Sequence, residues 1–155
     1  MPGARMMREG RANAILYRTT RTSRAMQINK LTPVLMVEAI EPVLDFWVKR
    51  LGFSKTTEVP HEGHLGFVIL ERDGIEVMYQ TRASVAADIG PLASSPMKGS
   101  FLFFQVDDLD TIEKALKGVT PVVPRRKTFY GADELIVREP AGNVITFAQF
   151  PASGD

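Results

Sequence analysis

Apolar and polar positions change their period along residues 31–53, and this change predicts the first elements of the fold. Residues 26–37 carry apolar side chains in a pattern that is typical of a strand. From Pro42 onward the apolar positions are spaced as on one face of a helix. Gly52 then predicts the end of that helix. The opening of the chain is therefore a predicted strand followed by an amphipathic helix.

Three further strands complete a first unit. An Asp73-Gly74 pair between two apolar runs predicts a tight β-hairpin, and residues 60–63 predict a turn. The segment 26–81 is thus predicted to form a βαβββ unit. Its last three strands are predicted at residues 53–59, 65–72 and 75–81.

The same order of elements recurs in the second half of the chain. Residues 82–100 are rich in Ala, Ser, Pro and Gly, and we expect a linker with one short helical turn. A second βαβββ unit is predicted over residues 101–151, and residues 152–155 form a tail. Asp107, Asp108 and Asp110 supply the acidic residues that cap its helix and favour the positive end of the helix dipole. Its strands are predicted at residues 101–106, 119–123, 134–138 and 143–150, with a loop from Arg125 to Gly131.

The fold class predicted from this duplication is α+β. Two tandem βαβββ units would form a curved mixed sheet with helices outside and a concave inner face. A groove between the two units is the expected place for a ligand.

Charge separates the chain into two parts. Residues 1–25 contain six Arg and only one acidic residue, Glu9, whereas residues 26–155 are mildly acidic. We interpret residues 1–25 as an N-terminal extension with a composition compatible with disorder. A transit peptide and a basic arm for an anionic partner are the two alternatives. The acidic balance of the remainder gives no reason to expect binding to nucleic acid.

Composition narrows the class of protein further. Hydrophobic residues make up 45% and charged residues 24% of the chain, which is ordinary for a globular protein. The chain has no cysteine, which excludes disulfides and thiolate metal sites and fits a reducing compartment. No apolar run reaches the length of about 18 residues that a membrane-spanning helix needs. We therefore expect a cytoplasmic protein without a membrane partner.

Two groups of motifs resemble a known family. The first group is PVLMV at residues 33–37, FW at residues 46–47 and LGF at residues 51–53. The second is FYG at residues 129–131 and EPAGNVITF at residues 139–147. Together they resemble the vicinal oxygen chelate superfamily, the glyoxalase, bleomycin-resistance and dioxygenase group, and within it the bleomycin-resistance-like branch. The chain departs from the family pattern at Trp47, Ala39 and Glu139, where Tyr, Asp and Asp are usual.

The resemblance also implies where metal ligands would stand. Enzymes of the family place one ligand, usually His or Glu, on each of four strands. The four matching positions here are Thr32, Glu76, Phe101 and Thr146. Only Glu76 is a strong ligand, and a divalent ion needs several such groups. We therefore predict no metal and no cofactor.

The two histidines of the chain lie close together at His61 and His64. Their spacing of three and the intervening Gly63 do not fit the helical H-E-x-x-H metal motif. We interpret both as exposed loop residues, and a metal site on this turn is the alternative.

Strand alternation indicates which side chains would line the groove. The predicted pocket is apolar with a few polar groups, and Met and Phe suit a flat or lipophilic ligand. Glu76 adds a negative charge that favours a cationic ligand, and it is the one candidate for a catalytic base. The predicted ligand-binding residues are Met36, Glu76, Met78, Phe101, Phe103, Gln105, Tyr130 and Thr146.

Three functions follow from these observations. The first, favoured by the missing metal ligands, is a metal-free homodimer that sequesters a hydrophobic or aromatic small molecule, neutral or cationic, as in antibiotic resistance. The second is a lyase, isomerase or dioxygenase of the same superfamily, either metal-dependent or using Glu76 as a general base. The third is a structural or partner-binding role.

Overall fold

The computed structural model describes residues 30–96 and 98–152. All helices and strands given below lie in the unit Thr32–Asp155. The predicted extension over residues 1–25 lies outside the described residues. Within the described part of the chain, no helix is long and apolar enough to cross a membrane.

The first half forms the predicted βαβββ unit. Its four strands make a mixed sheet in the order β1-β4-β3-β2, in which β1 and β4 are parallel and the other pairs are antiparallel. The elements are β1 (Val34–Val37), α1 (Glu41–Leu44), a π-helical continuation (Asp45–Arg50), β2 (Ser54–His61), β3 (His64–Arg72) and β4 (Ile75–Thr81).

The helix of this unit ends where the sequence predicts. Gly52 adopts a positive φ of 69°, which favours glycine, and the Phe53 N–H then donates to the Trp47 carbonyl at 2.9 Å. The predicted hairpin at Asp73-Gly74 is also present, because both residues adopt positive φ. The turn predicted over residues 60–63 is present but shorter than predicted. Strand β2 continues to His61, and Glu62-Gly63 alone make the turn.

The linker contains more helix than the single turn expected from its sequence. Helix α2 (Arg82–Asp88) follows β4 directly, and the Thr81 hydroxyl caps it by accepting from the Ser84 N–H at 3.2 Å. A short 3₁₀ turn (Gly90–Leu92) comes next. The Arg82 guanidinium donates to the carbonyls of Ala93 and Ser95, which ties the linker back to its own helix.

The second half repeats the topology, with a four-stranded mixed sheet in the order β5-β8-β7-β6. The Asp108 carboxylate caps its helix, as predicted, by accepting from the Thr111 N–H at 3.1 Å. The Thr111 hydrogen bonds lower the pKa of this carboxyl. The elements are β5 (Phe101–Gln105), α3 (Leu109–Ala115), β6 (Val123–Lys127), β7 (Asp133–Arg138) and β8 (Val144–Gln149).

Strand β6 lies later in the chain than predicted. The sequence places a strand over residues 119–123 and a loop from Arg125, whereas β6 contains Pro124 and runs to Lys127. Proline is tolerated here because β6 is an edge strand and its register with β7 shifts between Val123 and Arg126. The two sheets confirm the α+β fold class with tandem βαβββ units.

The two units share one hydrophobic core. In each sheet, alternate residues of the strands face this core. Trp47, fully buried on the first helix, contacts the Phe104 ring of the second sheet at a centroid distance of 5.8 Å. The same indole donates to the Tyr79 hydroxyl at 2.8 Å.

Candidate functional site

Each sheet has a second face, opposite the shared core, and we call it the open face. The register places Val34 beside Met78 and Met36 beside Gln80 on the open face of the first sheet. On the second sheet it places Phe103 beside Thr146 and Gln105 beside Ala148. The predicted groove residues on the strands therefore fall on these two open faces.

The first open face is mainly apolar. Met36 and Met78 are half-buried, and Ile69 lies beside Met78 across the sheet. Phe67 lies beside Gln80 and Val59 in the next row. Flexible Met side chains beside branched and aromatic ones form an adaptable apolar surface.

Two of the family ligand positions meet at one end of this face. The Thr32 hydroxyl donates to a Glu76 carboxylate oxygen at 3.1 Å. Glu76 is half-buried and stands beside Glu71 in the neighbouring strand. A carboxylate at the margin of an apolar surface can attract a cationic ligand.

The second open face carries exposed aromatic rings. Phe101 is 85% exposed and Phe103 is 56% exposed. Thr146 lies between Phe103 and Ile136 in one row across the sheet. In the single chain both phenyl rings therefore face solvent and do not line a closed groove.

A buried carboxylate on the second open face was missed by the sequence analysis. Glu134 is only 2% exposed and lies beside Ala148. It accepts a hydrogen bond from the Tyr130 hydroxyl and pairs with the Arg126 guanidinium at 3.3 Å. Alternation from Ile136 could have found it, because residues two apart on a strand share a face. Tyr130 also stacks near Phe150, with ring centroids 6.2 Å apart.

Arg125 is held by acidic neighbours and does not belong to a mobile loop. Its guanidinium bonds the carboxylates of Asp133, Asp110 and Glu113. These bonds, that to Asp133 first, raise the pKa of Arg125. The bond from Arg125 is also the first cause of the lowered pKa of the Asp133 carboxyl.

Tyr79 and Glu139 form a polar connection inside the shared core. Glu139 is 1% exposed and accepts from the Asn143 N–H at 2.7 Å and from its amide Nδ2 at 2.6 Å. Burial, followed by the nearby Glu139 charge, raises the pKa of the Tyr79 phenol. Tyr79 therefore stays protonated. Because its hydroxyl also accepts a hydrogen bond from the buried Trp47 indole, we assign Tyr79 and Glu139 a structural role.

Two of the predicted residues also line cavities. Met36 lines a cavity of about 350 Å³ that includes Pro140, Ala141 and Asn143. Gln105 lines a cavity of about 520 Å³ that includes Arg72 and Phe104. Neither cavity is lined by residues of both open faces.

The histidines differ from their predicted loop placement. His61 closes β2 and its side chain is 26% exposed, while His64 opens β3 directly opposite. His64 Nδ1 lies 4.0 Å from a Glu41 oxygen, and His61 Nε2 lies 4.0 Å from a Glu62 oxygen. Glu41 is already engaged, because it accepts from the Leu65 N–H at 2.9 Å, and that bond is the first cause of its lowered pKa.

Comparison with known families agrees with this topology. The sequence pattern of the Glyoxalase/Bleomycin resistance protein/Dioxygenase superfamily matches residues 27–147. The chain belongs to this superfamily. Among curated proteins, no sequence matches the chain.

Solved structures with the superfamily fold resemble the chain at low sequence identity. A glyoxalase/bleomycin resistance protein/dioxygenase from Nocardioides has a TM-score of 0.65 at 14% identity, covering 85% of this chain and 90% of that one. Lactoylglutathione lyase from Agrobacterium tumefaciens has a TM-score of 0.65 at 14% identity, covering 80% and 95%. A bleomycin-binding protein complexed with bleomycin has a TM-score of 0.58 at 20% identity, covering 80% and 100%.

The residues at the superfamily's metal positions do not fit a metal ion. Thr32, which precedes β1, is hydrogen-bonded to Glu76 of β4, but Phe101 and Thr146 supply a phenyl ring and a hydroxyl in the second sheet. A phenyl ring donates no lone pair to a divalent ion. Within residues 30–96 and 98–152, no three His, Asp or Glu side chains form a group that could hold one.

Proposed function

We propose that this superfamily member is a metal-free, homodimeric small-molecule-binding protein. Its ligand would lie between the first open face of one protomer and the second open face of its partner. The main support for the proposal is that Phe101 and Phe103 are exposed to solvent, although both lie on a strand of a folded sheet. Exposed aromatic side chains that share one face of a strand are a mark of interaction sites.

Pairing of unlike open faces explains why each protomer exposes two of them. In a twofold dimer the first open face of each protomer would meet the second open face of the other, giving two equivalent grooves. Met36 and Met78 would then form one wall, and Phe101 and Phe103 the other. This arrangement requires a second copy of the chain, because in one protomer the core faces are the ones that pack together.

The chemistry of the two walls favours an aromatic or hydrophobic ligand with a positive charge. Phenyl rings offer flat surfaces for stacking, and the Met side chains adapt to ligand shape. Glu76 supplies a carboxylate, and the hydroxyls of Thr32 and Thr146 supply polar contacts. Sequestration of such a molecule needs no metal and no nucleophile.

Bleomycin is the first ligand to test, because two structural neighbours are bleomycin-binding proteins. We expect it to raise the melting temperature, since a ligand at a hundredfold excess over Kd adds about 2.7 kcal/mol of stability. Sedimentation velocity would measure the dimer. Replacing Phe101 and Phe103 by Ser should weaken both dimer and binding.

Ile89→Ser is the matched control for the phenylalanine variant, because Ile89 is also an exposed apolar residue but lies in the linker. It should leave dimerisation and binding unchanged. A monomer in solution at all concentrations, or a Phe101/Phe103 variant that binds normally, would contradict the proposal.

Enzymatic activity is the second candidate function, and the half-burial of Glu76 beside the open face favours it. Glu76 would then act as a general base toward a bound substrate. Metal analysis of the purified protein would distinguish a metal-dependent enzyme from one that uses Glu76 as a general base. A stoichiometric divalent ion would also contradict the metal-free binding protein proposed above. Turnover that is lost in Glu76→Gln while binding persists would establish the base.

A resistance role and a cytoplasmic location complete the proposal. They rest on the superfamily and on the absence of cysteine from the chain. Expression in a bleomycin-sensitive strain, followed by cell fractionation, would test both. Unchanged sensitivity would remove the resistance role for this compound.

A further inference from the structure

A cavity lies at one end of the first open face, where α2 follows β4. Its volume is about 510 Å³, within the range of small-molecule sites. Val59 and Phe67 supply apolar walls from the open face, and Ala87 supplies another from α2. The polar lining residues are His61, Gln80, Ser84 and Asp88.

The fold brings the sheet and α2 together at this point through a glycine. A Cβ atom on Gly66 would lie 2.5 Å from His61 Cβ and 3.2 Å from Ser84 Cβ. Any side chain at this position would force His61 of β2 or Ser84 of α2 to shift. The contact between Gln80 Nε2 and Ser84 Oγ, at 3.3 Å, further ties β4 to the helix.

The charge of the cavity is negative. Among the described residues that line it, Asp88 and His61 are the ones that can carry a charge, and none is Lys or Arg. In the described part of the chain, the ion pairs include no basic partner for Asp88. Its carboxylate is exposed at the cavity rim and is available to a ligand.

The acceptors of the cavity suit an ammonium group. The Gln80 amide uses its N–H toward Ser84, so its carbonyl oxygen remains able to accept. An ammonium has three hydrogens to donate and no lone pair. Asp88 from α2 and Gln80 from β4 both line the cavity with acceptors, and Phe67 lines it with an aromatic ring.

We propose that this cavity binds an apolar ring that carries a protonated amine. The ring would pack on Val59 and Phe67, and the ammonium would pair with Asp88. The cavity shares Val59, Phe67 and Gln80 with the first open face, one wall of the proposed groove. All residues described as lining it belong to one protomer, so the cavity itself needs no residue of the partner. It takes a small primary amine rather than the ligand of the groove between protomers.

Tryptamine and indole-3-propionate test the proposal, because they share one ring and carry opposite charges. Titration of ¹⁵N-labelled protein should show tryptamine shifting the amides of Phe67, Gln80 and Asp88. We expect indole-3-propionate to bind at least about fivefold more weakly, the size of a partly exposed ion pair. Equal affinities, or the absence of tryptamine-induced shifts at the cavity, would overturn the proposal.

Asp88→Asn should remove the preference for tryptamine while the ring still binds. Phe67→Ser should weaken both compounds. Asp73→Asn is the matched control, because Asp73 is an exposed carboxylate on a distant hairpin of the same unit, and it should change neither affinity. A tryptamine preference that survives in Asp88→Asn would contradict the assignment of the ammonium.

A further variant separates this site from the proposed groove. Phe103→Ser lies on the second open face and should leave tryptamine binding intact even where it abolishes dimerisation. Loss of tryptamine binding in Phe103→Ser would show that the two sites are one and would overturn the independent cavity.

Discussion

The two faces of each sheet are made by the same strands but differ in solvent exposure. In β4, Val77 and Tyr79 are buried against helix and core, whereas Met78 and Gln80 between and after them stay half-exposed. In β5, Phe104 packs on Trp47, whereas its neighbour Phe103 faces solvent. One face therefore holds the fold together, and the other is left apolar and accessible for a partner or ligand.

Two buried glutamates show the same difference in their hydrogen bonds. Glu139 is satisfied by backbone N–H groups and Asn143 within its own tight loop. Glu134 is satisfied by Tyr130 and Arg126, which are side chains that can move away. Fixed backbone donors indicate a structural role, while movable side-chain partners leave a carboxylate open to exchange with a ligand.

The largest effect on stability should come from replacing Trp47 in the shared core. Trp47→Ala removes a fully buried indole that contacts both sheets, and we expect a loss of about 3–5 kcal/mol in unfolding free energy. Urea denaturation would measure it. Trp47→Phe is the control, because it keeps an aromatic ring in the core and should cost less, although it removes the bond to the Tyr79 hydroxyl and part of the buried volume. A loss below 1 kcal/mol for Trp47→Ala would contradict the shared core.

The second prediction concerns the place where α2 joins the first sheet. Gly66→Ala puts a Cβ within 2.5 Å of His61 Cβ, so strand or helix must shift, and we expect a cost of about 1–3 kcal/mol. Gly90→Ala is the matched control in open space and should be neutral. Equal melting temperatures of the two variants would show that α2 does not rest on Gly66.

The third prediction compares the two glutamates directly. Glu139→Gln turns one acceptor into a donor against the Ala141 N–H, and the expected cost is about 1–2 kcal/mol. Glu134→Gln should cost less, because Tyr130 and Arg126 can turn to water. The comparison fails if thermal unfolding shows the reverse order.

The smallest effect on stability should come from the open face. Phe103→Ser changes an exposed ring, and unfolding free energy measured at monomeric concentration should move by no more than about 0.5 kcal/mol. Its effect on dimerisation should be much larger. A large stability loss in the monomer would mean that the second open face is covered by its own chain.

Most of the fold follows from local signals. The Asp73-Gly74 hairpin, the Gly52 stop and the Asp108 cap are all present where the sequence predicts them, because each depends on a few neighbouring residues. Strand β6 is misplaced because Pro124 is acceptable only on an edge with a shifted register, and the sequence does not show which strand is the edge.

The candidate site is less predictable than the fold. Alternation alone assigns Met36, Met78, Phe103 and Thr146 to common faces, and the strand register has the same arrangement. Glu134 and the cavity beside α2 were missed. Each depends on side chains brought in from another element, namely Tyr130 for the carboxylate and Ser84 and Asp88 for the cavity.

The sequence by itself determined the duplicated βαβββ order, the turns and caps, and which residues of a strand point the same way. These features depend on φ preferences and on a period of two, which neighbouring residues encode. Only the tertiary structure decided which face of each sheet is covered. Burial depends on contacts between distant segments, such as Trp47 with Phe104, and the same alternating pattern is compatible with either face being left open.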